Sequence, residues 1–248
     1  MRFDWAPSQR GIGAHTLDYQ SLSRLSETME YSSNTTYPTP QEFALAHAGT
    51  DVRPRLNAFL ALDGRLAQFV GQSKEPMLTQ MRIAWWRDQL RKPVADRPKG
   101  DPILDDLSSS WSGENIALIA LIDGWEALLA EPPLPETAAL DFANGRAACF
   151  AALAKLCGKQ ASAGRAFLHG QYWALADLAV RVSEEDERRV IVSQCNALEP
   201  KLQPLPHSLR ALSILGKLGE RSLSKSGRSL VQSRSDILLV MRLGLFGR

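Results

Sequence analysis

The chain has 248 residues, 44% hydrophobic and 23% charged, which suits one globular domain with a full core and excludes a disordered or membrane-embedded class. No apolar run reaches the roughly 18 residues needed to cross a bilayer. The net charge of +2 is uneven: from Lys201 onward nine basic residues face two acidic ones, a local +7, which leaves −5 for the first two hundred residues.

Residues 1–40 are polar and weakly periodic, and are expected to be mostly disordered. The helical pattern begins near Gln41, so Met29 competes with Met1 as the expected start of translation. The first residues contain no apolar leader, which predicts a cytoplasmic protein. Cys149, Cys157 and Cys195 form no CxxC pair and are expected as reduced core thiols. Gln41–Gly49 reads as a short helix. In Asp51–Gln72, apolar Leu56, Phe59, Leu60, Leu62, Leu66, Phe69 and Val70 recur mostly every three or four residues, a helical period. Glu75–Leu90 places Met77, Met81, Ala84 and Trp85 on one stripe. The adjacent Trp85 and Trp86 diverge by about 100°, so one enters the core and the other meets a neighbouring helix.

Arg91–Pro102 is a Pro- and Gly-containing loop, and Asp101 followed by Pro102 is a cap and first turn. Further helices are predicted over Asn115–Ala130, Ala139–Gly158 and Ala161–Val182. At Ser183 a new helix is expected, with Ser183 and Asp186 as a capping pattern and Glu184–Arg188 and Glu185–Arg189 as pairs. Leu205–Leu223 and Ser235–Arg248 complete the series. No segment alternates with period two, so the expected fold class is all-α, a single helical domain over 41–248.

Three stretches carry a family resemblance: Ala61–Val70 (ALDGRLAQFV) with Glu75–Leu90 (EPMLTQMRIAWWRDQL), Leu121–Leu129 (LIDGWEALL), and Ala163–Ala179 (AGRAFLHGQYWALADLA). They resemble the squalene/phytoene synthase family, which joins two isoprenoid diphosphates head to head. The pattern is most similar to a divergent branch of alphaproteobacteria and mitochondria, whose mitochondrial members are linked to assembly of respiratory complex I. The resemblance implies an isoprenoid-synthase-like helical bundle with a central cavity. It implies as partners an isoprenoid diphosphate or lipid, or a subunit of a respiratory complex at the inner membrane. Nothing in the sequence points to nucleic acid.

The family holds magnesium with two acidic motifs on facing helices, each with carboxylates four residues apart. At the first place this chain has Asp63, with Ala67 where a second carboxylate would stand. At the second it has Asp177, with Trp173 four residues before and Arg181 four after. A lone carboxylate is a poor Mg2+ site. Asp63 is therefore expected to be exposed or ion-paired, and Asp177 to pair with Arg181. No cofactor is expected; Mg2+ enters only if the chain is an enzyme. Asp101 and Asp105 are four apart but lie at a helix start, where the dipole favours them.

Asp123 and Glu126 interrupt the apolar LIALIDGWEALL, so they must be paired or hydrated. Arg82 and Arg87 are the candidate partners, making either buried ion pairs or a residual polar pocket. His169, Gln171 and Tyr172 either line a remnant cavity or are structural. The expected function is a non-catalytic isoprenoid- or lipid-binding protein or assembly factor. The alternative is an active head-to-head prenyltransferase. Ser235–Arg248 is expected either as a core helix or as a peripheral membrane contact within the basic C-terminal region.

Overall fold

The computed structural model describes residues 38–72, 75–130, 135–198, 201–231 and 233–246. Most of the expected disorder, and Met29, lies outside them. Among the described residues there are ten α-helices and no strand, so the fold is all-α. They are α1 (Pro40–His47), α2 (Arg53–Gly71), α3 (Pro76–Arg91), α4 (Pro102–Ser110) and α5 (Asn115–Ala127). The second half holds α6 (Glu136–Leu156), α7 (Ala163–Arg181), α8 (Glu185–Gln194), α9 (Arg210–Leu223) and α10 (Arg234–Phe246).

Local chemistry sets several of these boundaries. At α1, Thr39 and Glu42 form a reciprocal capping box with Pro40 in the first turn. At α4 the Asp101 carboxylate accepts from the backbone N–H groups of Ile103 and Leu104, as its sequence position predicts. At the end of α3 the buried Arg97 guanidinium donates to the Leu90 and Lys92 carbonyls, which would otherwise lack partners. The Ser183 expectation is corrected: the helix starts two residues later at Glu185, with Glu184 at the cap position. The ion pairs shift with it, to Glu185–Arg188 and Asp186–Arg189, one turn apart at i,i+3.

The core is a stack of α5, α6, α7 and α9, each packed on the next. Small residues set its spacing. A Cβ on Gly145 of α6 would lie 2.4 Å from the Ala120 carbonyl oxygen of α5. One on Gly219 of α9 would lie 2.5 Å from the Tyr172 carbonyl oxygen of α7. Both contacts are with backbone, so only glycine permits these approaches. Into this stack the chain buries Trp86, Trp111, Trp125, Trp173, Phe59, Phe142 and Phe150. Each such side chain contributes about 2–3 kcal/mol of burial. Phe59 of α2 meets Phe150 and Trp173 edge-on, so α2 is locked onto α6 and α7.

Three sequence expectations change here. The Met77, Met81 and Trp85 stripe of α3 faces outward, while Thr79, Ile83, Trp86 and Leu90 face the core. Trp86 is thus the core tryptophan, and Trp85 is a half-exposed one stacked against it edge-on. The C-terminal helix α10 is neither wholly core nor wholly surface. Val240 and Leu243 join Ile214 and Leu218 of α9 in a small second core, with Phe43 of α1 against it. Leu238, Met241, Leu245 and Phe246 point outward.

Candidate functional site

The centre of the stack holds a charge network built from four helices. Asp63 of α2 and Asp177 of α7 are both buried. Between them lies Arg146 of α6, 1% exposed. Its guanidinium grips Asp63 with two parallel bonds, Nε to Oδ1 at 2.9 Å and Nη2 to Oδ2 at 2.8 Å. Its remaining edge donates from Nη1 to Asp177 Oδ2 at 2.7 Å. Trp125 of α5 adds an indole N–H to Asp63 Oδ1 at 2.8 Å. Arg181, one turn beyond Asp177, donates to both of its oxygens at 3.1 Å.

Two carboxylates and two guanidiniums make the network neutral, which is the condition under which buried charge is tolerated. The bidentate fork suits Arg and not Lys. Aromatic faces complete the enclosure: the Arg146 guanidinium carbon lies 4.4 Å from the Trp173 ring centre, 4.5 Å from Phe142 and 5.2 Å from Trp125. Burial works against the charged form of Arg146, but the charges of Asp63 and Asp177 outweigh it and hold its pKa above the usual value. Burial likewise opposes ionisation of Asp177. Arg181 and then Arg146 overcome it and hold that carboxyl below its usual range.

The resemblance leads one to expect a cavity here with magnesium on its walls. Arg146 takes the space between the two aspartates. The donor set does not suit Mg2+, which needs several oxygen ligands at close range. Each aspartate stands alone on its helix, and both already accept hydrogen bonds from guanidinium groups. Among the described residues no group of three His, Cys, Asp or Glu is placed to hold a metal.

The other sequence candidates lie elsewhere. Asp123 and Glu126 do meet Arg87: Arg87 Nε donates to Asp123 Oδ1 at 2.7 Å, and Nη2 donates to Glu126 Oε2. The expectation of a buried pair is corrected, because the Asp123 side chain is 54% exposed and Glu126 34%. This is a surface clasp between α3 and α5. Arg82 does not join it and sits over the Phe69 ring of α2.

The His169 ring turns toward α9, and the Tyr172 side chain toward Cys195 at the end of α8. His169 is buried with Nε2 2.9 Å from the Gln203 carbonyl oxygen, and its ring packs against Gly216. Burial lowers its pKa to about 4, so the ring is neutral and Nε2–H is the donor to Gln203. Tyr172 shares a hydrogen bond with Cys195, and burial raises its pKa. Gln171 reaches Asn144 on α6 at 2.9 Å.

Arg146, the centre of the network, was not among the sequence candidates. Its signal was present: with Phe142, Cys149, Phe150 and Leu153 it lies on the i, i+3, i+4, i+7 stripe of an Ala-rich helix, a charge where only core residues belong. Compared with known proteins, the chain matches no family model, no curated sequence and no solved structure.

Proposed function

We propose that this protein is a non-catalytic relative of the head-to-head prenyl synthases that works by binding, as an assembly factor, and does not turn over isoprenoid diphosphates. One observation carries the reading: Arg146 occupies both carboxylates that the resemblance would assign to magnesium. A departing diphosphate must have its charge neutralised, and in this chemistry the metal does so. Here the two aspartates are spent on a structural cation. The filling of the centre by Arg146 and aromatic rings supports a partner bound at the surface. The outward Leu238, Met241, Leu245 and Phe246 of α10, flanked by Arg242, support a peripheral contact with an anionic membrane. The similarity to the complex I-linked branch supports a respiratory-complex subunit as the client.

The test is diphosphate release from farnesyl and geranylgeranyl diphosphate by the purified full chain, with and without Mg2+. The expected result is no release above the protein-free rate. Metal-dependent turnover by folded protein would overturn the proposal.

A further inference from the structure

A second apolar surface, remote from α10 in sequence, lies between α2 and α3. It is a groove of about 450 Å³. Phe69 of α2 and Leu78, Met81 and Trp85 of α3 supply its apolar walls, and Arg65 and Arg82 its charge. Met81 is 64% exposed, and Met77, one turn earlier on α3, is 73% exposed. These side chains are not surplus core, since the inner face of α3 already presents Ile83, Trp86 and Leu90.

Charge defines what fits. Neither Arg65 nor Arg82 has a carboxylate partner among the described residues. Pro76–Arg87, the first three turns of α3, contain no Asp or Glu. Asp101 also lines the groove, with its Oδ1 occupied in capping α4, so the lining carries two cations to one carboxylate. Arg82 stacks on Phe69 with 5.9 Å from guanidinium carbon to ring centre, so the cation is held in place at the apolar wall.

Shape selects the class of partner. A flat leaflet cannot enter a concave groove between two helices, whereas the ridge of a helix can. Met, Trp and Arg are the residue types enriched at the centres of protein interfaces, and Met adapts to the side chains it receives. We infer that the α2–α3 groove docks an amphipathic helix of a protein partner, with its apolar ridge between Phe69, Met81 and Trp85 and its carboxylates on Arg65 and Arg82. This rests on the binding reading above and names the chemistry of the client.

Methionine methyl NMR tests it on the full chain. Met81, which lines the groove, and Met77, one turn before it on the same helix, report on this face, and Met241 on α10, each assigned through its Met→Leu variant. The probes are two synthetic 20-residue amphipathic helices with Leu and Trp on one face, one with Glu on the other face and one with Lys, and phosphatidylcholine vesicles containing phosphatidylglycerol. The acidic peptide is expected to shift Met77 and Met81, to leave Met241 in place, and to bind about tenfold more weakly to the Arg65→Ala/Arg82→Ala double variant. Arg82 is exposed and Arg65 partly buried, neither has an ion-pair partner among the described residues, and an unchanged melting curve confirms the variant's fold.

No shift at Met77 and Met81, or equal binding of the basic peptide, overturns the inference. Movement of both methyls on vesicles alone assigns the groove to lipid instead, and shifts on raising protein concentration without peptide assign it to a second copy. Either outcome likewise overturns it. Prenyl diphosphate turnover would defeat the non-catalytic reading while leaving the peptide shifts intact, so the two failures are distinguishable.

Discussion

Replacing Arg146 by Met removes the central cation while keeping an apolar side chain of similar length between Trp125, Phe142 and Trp173. Asp177 retains Arg181, but Asp63 keeps only the indole N–H of Trp125. Breaking one partner out of a buried pair costs about 3–5 kcal/mol, because the remaining charge is uncompensated. For a domain of this size each kcal/mol lowers Tm by about 2–4 °C, so the variant should melt roughly 10 °C lower. The pH dependence gives the sharper sign. Without Arg146 the Asp63 carboxyl gains from binding a proton in the folded state, so the folded variant holds more protons than its unfolded chain. The penalty relative to the parent should therefore shrink as pH falls from 7.5 to 5.5. Urea unfolding followed by tryptophan fluorescence measures both quantities. The double variant Asp63→Asn/Arg146→Met should recover most of the loss, since it removes the orphaned carboxylate along with the cation and leaves the Asp177–Arg181 pair intact. A loss below about 1 kcal/mol at pH 7.5, or a penalty that grows in acid, would refute the view of Arg146 as the neutralising centre.

His169 is neutral in the folded chain, with its pKa near 4 against 6.5 when unfolded. The unfolded chain thus binds more protons between those values. Stability is full above about pH 6.5 and falls as pH drops toward 4, by about 3 kcal/mol in total. His169→Gln should flatten that part of a stability–pH curve obtained by urea titration. Gly145→Ala, which drives a methyl group into the Ala120 carbonyl, should cost about 1–3 kcal/mol and lower Tm in calorimetry; an unchanged Tm would show that α5 and α6 can separate freely.

The helices were legible because their signals are local: a cap at Asp101, a proline at 102, a three-four spacing from Leu56 to Val70. Which face turns inward was not local. In α3 both faces carry apolar residues, so Met77 and Met81 were as plausible a core as Ile83 and Trp86. Only the packing of α2 and α5 decides between them. Asp123 and Glu126 were misplaced for a related reason. The residues around them are apolar on every side, yet Ile116 of the same helix is 82% exposed, so α5 is covered only in part. The carboxylates of the central site stand out only through the family resemblance, and the Asp177–Arg181 pair through its i,i+4 spacing. Arg146 was missed because its partners lie 83 and 31 residues away in the chain.

The position of α1 bears on how the chain comes together during synthesis. Ala44 is fully buried, and the helix rests against α9, with Phe43 on the small core shared by α9 and α10. That resting place is not translated until the ribosome has passed Arg210. At ordinary elongation rates α1 waits roughly ten to thirty seconds with its apolar side uncovered. Emergence of α9, not of the first helices, is thus the moment at which this end of the domain can close. A chain stopped in the 195–209 stretch should present Phe43 and Ala44 to chaperones and proteases.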